Sequence, residues 1–383
     1  MRLALALLLA LGLPGCERPS DVAPSPAPAA ASPSGPLATP TAFDLEPAPG
    51  GAVLAWATVG SGRLQLLRFD ADGQPGGGEG GAAQVDGVGA AVADLALAAI
   101  GSDVALAWSE ASAARSTLRA AWSASGGSAR TFELGVHPPG EAASRGALSL
   151  VGRERGALLL ARGGEAPCSD ARERACTAFQ FFEIAPDAAR PTGLSLTVPN
   201  PCAAHSAQLV VARRAASGEA GPFEYAICAG PAGASALTVF SIQPSPAYAA
   251  AEEALAGCAP LGAGRFGGEA TFVAACGSQR RSVSVPADGG ALVARNLDER
   301  GLGCNASGPL LRFGNGWLRP SEPLGRLELL LNDDLAPPGA RAVWTGAALL
   351  VAQVSDGQLS LRRYGCRHAQ LLELDVPSAP PGR

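Results

Sequence analysis

Nine cysteines and three histidines are the residues of this 383-residue chain best suited to chemistry. Thiolate and imidazole are the donors of zinc sites, and Cys202-x-x-His205 and Cys366-x-His368 each bring one of both close together, while His137 stands alone. Structural zinc sites usually take their cysteines as tight Cys-x2-Cys pairs. The sequence holds no such pair, nor the Cys-x-x-Cys-His run that attaches haem. The eight cysteines after Cys16 therefore read as disulfide partners, and no metal or other cofactor is expected. Asp70-Ala-Asp72-Gly73 begins like a calcium loop. The further oxygen ligands and the bidentate glutamate that such a loop needs do not follow, whereas Asp-Gly at a strand end suits a tight turn. Asp333-Asp334 reads as a solvated turn and Glu252-Glu253 as the outer face of a helix. No Gly-x-Ser-x-Gly elbow, His-Glu-x-x-His pair or phosphate-binding glycine loop occurs. No catalytic residue is assigned. The catalytic alternative is a pair of carboxylates brought together from distant segments, as in a carbohydrate-active hydrolase or lyase.

The other informative residues are at the beginning of the chain. Met1 and Arg2 lead into the apolar run Leu3–Leu13, which ends Leu13-Pro14-Gly15-Cys16. A positive start, a short apolar stretch and a small residue before a cut make a secretory signal. A membrane-spanning helix needs about 20 apolar residues, more than this run supplies. The cysteine directly after the small residue resembles the lipobox of bacterial lipoproteins. That resemblance implies removal of residues 1–15 and acylation (palmitate-type chains) of Cys16 on its sulfur and its amine. Two or more chains give stable anchoring, since each buried CH2 contributes about 0.8 kcal/mol. Glu17 is not the aspartate that tends to retain such proteins in the inner membrane, so the resemblance places the protein at the outer membrane. Asn305-Ala-Ser307 fits a glycosylation sequon but is expected to be inert in a bacterial lipoprotein. Residues 16–40 hold the lipidated cysteine and the segment Glu17–Pro40, in which seven residues are proline and, alanine apart, only Val22 and Leu37 are aliphatic. Such a segment buries no core and samples extended polyproline-like states, reaching ~70 Å at ~3.1 Å per residue.

The rest of the chain must be built from short elements. Glycine and proline together make 81 of the 383 residues, against an average of about 12%, which interrupts long helices. Trp56 closes Gly51-Ala-Val-Leu-Ala-Trp56, and 52 residues later Trp108 closes Asp103-Val-Ala-Leu-Ala-Trp108. Each is followed by a polar turn and a second apolar alternation, Arg63–Asp70 and Ser116–Trp122. Period-two alternation between glycine-rich turns marks strands and hairpins. The pattern continues through Gly156–Ala161 with Ala178–Ile184, Phe223–Ala229, Ala270–Cys276, Gly316–Arg319 with Arg326–Leu331, and Ala347–Ala352 with Gln358–Arg363 and Gln370–Asp375. That makes about seven units. Units of four short strands near 40–50 residues are what β-propellers are made of. The arrangement resembles the degenerate propeller repeats of secreted bacterial proteins, a likeness of architecture and not of any one family. The expected fold is therefore all-β: a propeller of about seven four-stranded blades (six to eight) over residues 41–376, followed by a disordered tail at 377–383. A pair of β-sandwiches is the alternative. One short inserted helix is expected over Ala247–Ala256, capped by Ser245-Pro246 and closed by Gly257.

The repeat orders the cysteines. Cys228 and Cys276 close the same strand in consecutive units, and Cys202 and Cys258 precede that strand, which predicts Cys202–Cys228 and Cys258–Cys276. Cys168 and Cys176 are expected to close one loop, leaving Cys304–Cys366. The formal net charge of −5 gives no basic patch for nucleic acid. Together these readings point to an exported outer-membrane lipoprotein on its periplasmic or cell-surface face, probing an envelope protein or glycan as a binding or assembly module rather than an enzyme.

Overall fold

The structure is a computed structural model. It describes residues 40–58, 60–76, 82–89, 91–111, 115–125, 127–137, 148–168, 176–199, 208–214, 223–229, 237–241, 247–250, 258–266, 269–284, 293–296, 308–309, 311–313, 316–321, 326–331, 340–345, 347–355, 358–365 and 370–375. Cys16 and the tether lie outside the described residues, as do the chain's last eight residues.

The described residues form seven antiparallel sheets. Sheet one is β1 (Pro40–Ala48), β2 (Gly51–Thr58), β3 (Arg63–Phe69) and β4 (Ala82–Asp86), in that spatial order. Sheet two is β5 (Ala91–Ile100), β6 (Asp103–Ala111), β7 (Ser116–Ser123) and β8 (Arg130–His137). Sheet three is β9 (Leu148–Gly152), β10 (Ala157–Ala166), β11 (Cys176–Ile184) and β12 (Ala189–Pro199). Sheet four is β13 (Gln208–Arg214), β14 (Phe223–Ala229), β15 (Leu237–Ser241) and β16 (Ala247–Ala250). Sheet five is β17 (Ala259–Phe266), β18 (Glu269–Cys276), β19 (Gln279–Ser284) and β20 (Val293–Asn296). The short β21 (Gly308–Pro309) precedes sheet six, which is β22 (Leu311–Phe313), β23 (Gly316–Ser321) and β24 (Arg326–Leu331). Sheet seven is β25 (Arg341–Trp344), β26 (Ala348–Ser355), β27 (Gln358–Gly365) and β28 (Gln370–Asp375), with β21 added on the other edge of β25. The expectation of four strands per unit thus holds for sheets one to five, while sheet six has three and sheet seven five. The sheets are also separate units, not the four facing sheets of two sandwiches.

Each sheet packs on its neighbours through its first strand: β1 lies against β5, β5 against β9, β9 against β13, β13 against β17, β17 against β22, β22 against β25, and β25 against β1. The side chains explain the stacking. A strand covered on both faces reads as a continuous apolar run, and β2 is buried along nearly its whole length. Its Ala52, Leu54 and Trp56 pack with Val343, Leu350 and Ala352 of sheet seven. Its Val53, Ala55 and Ala57 pack with Leu95, Leu97, Leu106 and Trp108 of sheet two. The opposite face of sheet two presents Ala105, Ala107 and Ala120 to Leu150, Leu159 and Phe182 of sheet three. Large residues on one sheet therefore meet small ones on the next, and close packing rather than side-chain size fills these interfaces. Backbone approach matters as much. A Cβ on Gly51 would collide with the Phe69 carbonyl oxygen, and one on Gly156 would sit 2.8 Å from that of Ile184. These positions open β2 and precede β10, so glycine there allows the second strand to close on the third.

One expectation is overturned. Ala247–Ala250 is not helical: it is β16, the outer strand of sheet four, with Ala247 opposite Ser241 and Tyr248 opposite Phe240. Alanine's helix propensity amounts to only tenths of a kcal/mol per residue over most alternatives. Pairing of Ala247–Ala250 along β15 outweighs it. No helix occurs among the described residues; 251–257 lie outside them.

Candidate functional site

Every sheet has a leading rim, where its first strand begins, and a hairpin rim, where that strand turns into the second. Buried polar side chains gather toward the leading rim. Gln65, Asp94, Ser109, Glu110, Ser116, Thr117, Ser149, Arg162, Thr177 and Gln353 are there. Asp44 is at mid-strand, and among the described residues only Ser123 and Thr345 are at the hairpin rim.

Two of these carboxylates join first strands of adjacent sheets. Asp44 on β1 accepts the Leu97 N–H of β5 on Oδ2 at 3.0 Å and the Leu45 N–H on Oδ1 at 3.1 Å. Arg341 at the start of β25 lies 3.5 Å from the same Oδ1. Asp94 on β5 accepts the Leu148 N–H of β9 on Oδ2 at 3.0 Å. The guanidinium facing Asp94 is that of Arg162, a residue only 3% exposed. Burial pushes the Arg162 pKa below its ordinary value, and the Asp94 charge draws it part of the way back up. A third group fills the interface between sheets one and two. The Trp108 indole N–H donates to Glu110 Oε1 at 2.8 Å, and Arg119 Nε lies 3.5 Å from that oxygen. Arg119 also donates to the Gly87 carbonyl at 3.1 Å and pairs with Glu133 at 3.5 Å.

The chemistry available to these groups follows from their partners. A general acid or base needs a carboxyl oxygen turned to a substrate. Here Asp44, Asp94 and Glu110 are each held by a neighbouring N–H and faced by a guanidinium, which suits them to fixing one sheet against the next. A hydrogen bond to a charged group contributes about 1.5–3 kcal/mol. The hydroxyls of Ser109 and Ser116 and the Gln353 amide oxygen are buried without a hydrogen-bond partner among the described residues. Gln353 lies opposite Ser360, whose buried hydroxyl is also unpaired.

Two of the four expected disulfides form among the described residues. Cys168–Cys176 closes the connection between β10 and β11, with Cα atoms 5.3 Å apart. Cys258–Cys276 ties the residue before β17 to the end of β18, with Cα atoms 4.3 Å apart. Both disulfides lie at the leading rim, and they suit an oxidising, extracytoplasmic compartment. Cys228 is in β14; its expected partner Cys202 lies outside the described residues, as do Cys304 and Cys366. His137 ends β8, while His205, His368, Glu252, Glu253, Asp333, Asp334, Asn305 and Ser307 lie outside the described residues. Asp70 forms the expected turn: its backbone carbonyl accepts the Gly73 N–H at 2.9 Å and its Oδ1 the Gln74 N–H at 2.8 Å. Gly73 takes a φ of 70° there. Among the described residues no three His, Cys, Asp or Glu side chains are grouped to hold a metal ion, and no helix is long and apolar enough to cross a membrane.

The residues missed in sequence are Asp44, Asp94, Arg162 and Arg341. A signal existed for the acids: Asp44-Leu45 and Asp94-Leu95 recur fifty residues apart, each inside an apolar strand. No signal marked the arginines.

No family model and no curated protein matches the chain. Among solved structures it is similar to a Trypanosoma rangeli sialidase in complex with the inhibitor DANA, at 9% identity over 71% of this chain and 52% of that one, with a TM-score of 0.32. It is also similar to a Pyrococcus horikoshii acylaminoacyl peptidase, at 8% identity over 85% of this chain and 57% of that one, with a TM-score of 0.29. The chain thus spans little more than half the length of either protein.

Proposed function

We propose that this protein is a lipid-anchored β-propeller of the outer membrane that acts as a non-catalytic binding or assembly module. Support for the ring comes from the order of the first strands, each lying against the next, and from the apolar cluster that sheets one and seven share. Support for the anchor comes from Leu13-Pro14-Gly15-Cys16, the proline-rich tether and the two disulfides. The observation that carries the non-catalytic reading is the state of the carboxylates at the inner strands. Asp44 and Asp94 accept backbone N–H groups from the neighbouring sheet and face arginines, so they act as clasps. A scaffold held in this way, on a tether that reaches ~70 Å, presents its rims to a partner in the envelope, a protein or a glycan.

Two measurements test this. Cys16→Ser should move the protein from the membrane pellet to the soluble fraction; a variant that still pellets defeats the anchor. Crosslinking in intact cells followed by purification of the anchored chain should recover one envelope protein or glycan at a fixed ratio. Recovery of no partner, together with turnover of a glycan panel by the purified protein that is lost in Asp94→Asn, would replace the binding module with an enzyme.

A further inference from the structure

The chain between sheets five and seven departs from the repeat in one respect. Elsewhere among the described residues the first strand of a sheet has no strand on its inner edge, but β25 has β21 there. Gly308 pairs with Trp344 and Pro309 with Val343, antiparallel to β25. The same two residues also lie against β1 and β17, the first strands of sheets one and five, and against β23 of sheet six. If first strands surround an axis, a segment that touches those of sheets one, five and seven together lies inside them. Two positions later the chain is in β22, paired with β23 instead. Gly308–Pro309 and Leu311–Phe313 therefore belong to two different sheets, the first pair drawn inward.

We infer that Gly308–Pro309 is an internal plug: it adds a short strand to the axial edge of sheet seven and bars the ring's axial opening to solutes. The inference rests on the propeller reading above. An added strand moves the backbone edge inward by about 4.8 Å, a large step in a ring of seven first strands. Pro309 suits the end of such an addition. It has no N–H to offer on the side away from β25, and proline is confined to edges because it stops further pairing. Gly308 brings no side chain to a place where four sheets converge. With the axis taken by the chain itself, a ligand of this protein meets its rims or outer edges and does not pass along the axis.

The test uses the full mature chain. Hydrogen exchange read residue by residue should show the Gly308 amide and the amides of β25 exchanging at least 100-fold more slowly than an unstructured chain. Gly308→Cys should then react with a maleimide-polyethylene glycol at least tenfold more slowly than Ser102→Cys, a control in an exposed turn. Small-angle scattering of the same sample reports the ring. A scattering profile that fits a closed disc, with Gly308 exchanging or reacting at the rate of the exposed control, overturns the plug and leaves the propeller. A profile that excludes a closed disc overturns both.

Discussion

Removing Asp94 tests whether the inner carboxylates hold the sheets together. Asp94 accepts the Leu148 N–H of the next sheet and faces Arg162, which is almost fully buried. Asp94→Ala leaves both without that partner. A hydrogen bond to a charged acceptor contributes about 1.5–3 kcal/mol; we take about 3, because Arg162 also loses the negative charge that faces it. Unfolding entropy of about 2.1 cal/mol/K per residue gives ~0.7 kcal/mol/K for a domain of about 340 residues, so the melting temperature should fall by ~4 °C. A double-mutant cycle separates the pair from simple loss of packing. Asp94→Ala, Arg162→Leu and the double variant, compared by urea denaturation with disulfides intact, should give a coupling of at least about 1.5 kcal/mol. Asp94→Asn, which keeps an acceptor for Leu148 but loses the charge, should fall between wild type and Asp94→Ala. The pH dependence has a definite sign. Burial lowers the folded-state pKa of Arg162, so the charged guanidinium disfavours folding throughout the range below that pKa, and relief comes only as pH rises through it. A coupling below about 0.5 kcal/mol, or an Asp94→Ala variant as stable as wild type, would refute the clasp.

Three further outcomes are expected. Gly51→Ala should destabilise by more than about 2 kcal/mol in urea titrations, since its Cβ would enter the space of the Phe69 carbonyl; Gly50→Ala, where nothing lies within 4 Å but φ is +77°, should cost only about 1 kcal/mol. Replacing Cys258 and Cys276 together by serine should cost about 3 kcal/mol by the loop-entropy relation, and replacing Cys168 and Cys176 about 2.5, each read as a shift of the urea midpoint under non-reducing conditions. Trp108→Ala should cost about 3–5 kcal/mol and quench the slow exchange of β5 and β6 amides, because Trp108 is wholly buried between sheets one and two and its indole N–H occupies Glu110.

The strands were legible because their signal is local. Alternation in Gly51–Trp56 and Asp103–Trp108 needs only adjacent residues to be read, and the repeat of that alternation gave the number of units. Ala247–Ala250 was misread for the same reason: the local preference of AYAA is helical, and what makes it a strand is the edge of β15, which no short window contains. The clasps failed to be read because their bonds span 53 and 54 residues, Asp44 to Leu97 and Asp94 to Leu148. An acid within an apolar strand is visible, but its acceptor role depends on a backbone N–H that every residue except proline has. The pairing of Gly308–Pro309 along β25 was hidden too, since glycine before proline reads as an ordinary turn.

The distribution of small residues decides what must hold this fold. Ala105, Ala107 and Ala120 on one face of sheet two bury little area each, and at about 25 cal/mol per Å2 such faces contribute less than ones built from leucine or phenylalanine. Sheets with small faces can still approach closely, and close approach brings one sheet's carboxylates within reach of the next sheet's backbone. A leucine at Ala96 or Ala98 would add area but push β9 away from β5, where Asp94 meets Leu148. The two features depend on each other: the alanines set the spacing, and the aspartates hold it. The contact between sheets one and seven uses the same means between the two ends of the sequence. Asp44 meets Arg341, the Thr345 hydroxyl donates to the Ala71 carbonyl at 2.6 Å, and Gly73 leaves just the room that Leu350 and Ala348 fill. Among the described residues no strand is exchanged between those two sheets, so the contact depends on packing and on side-chain bonds such as that of Thr345 to the Ala71 carbonyl, and a substitution that enlarges Gly73 acts on it directly.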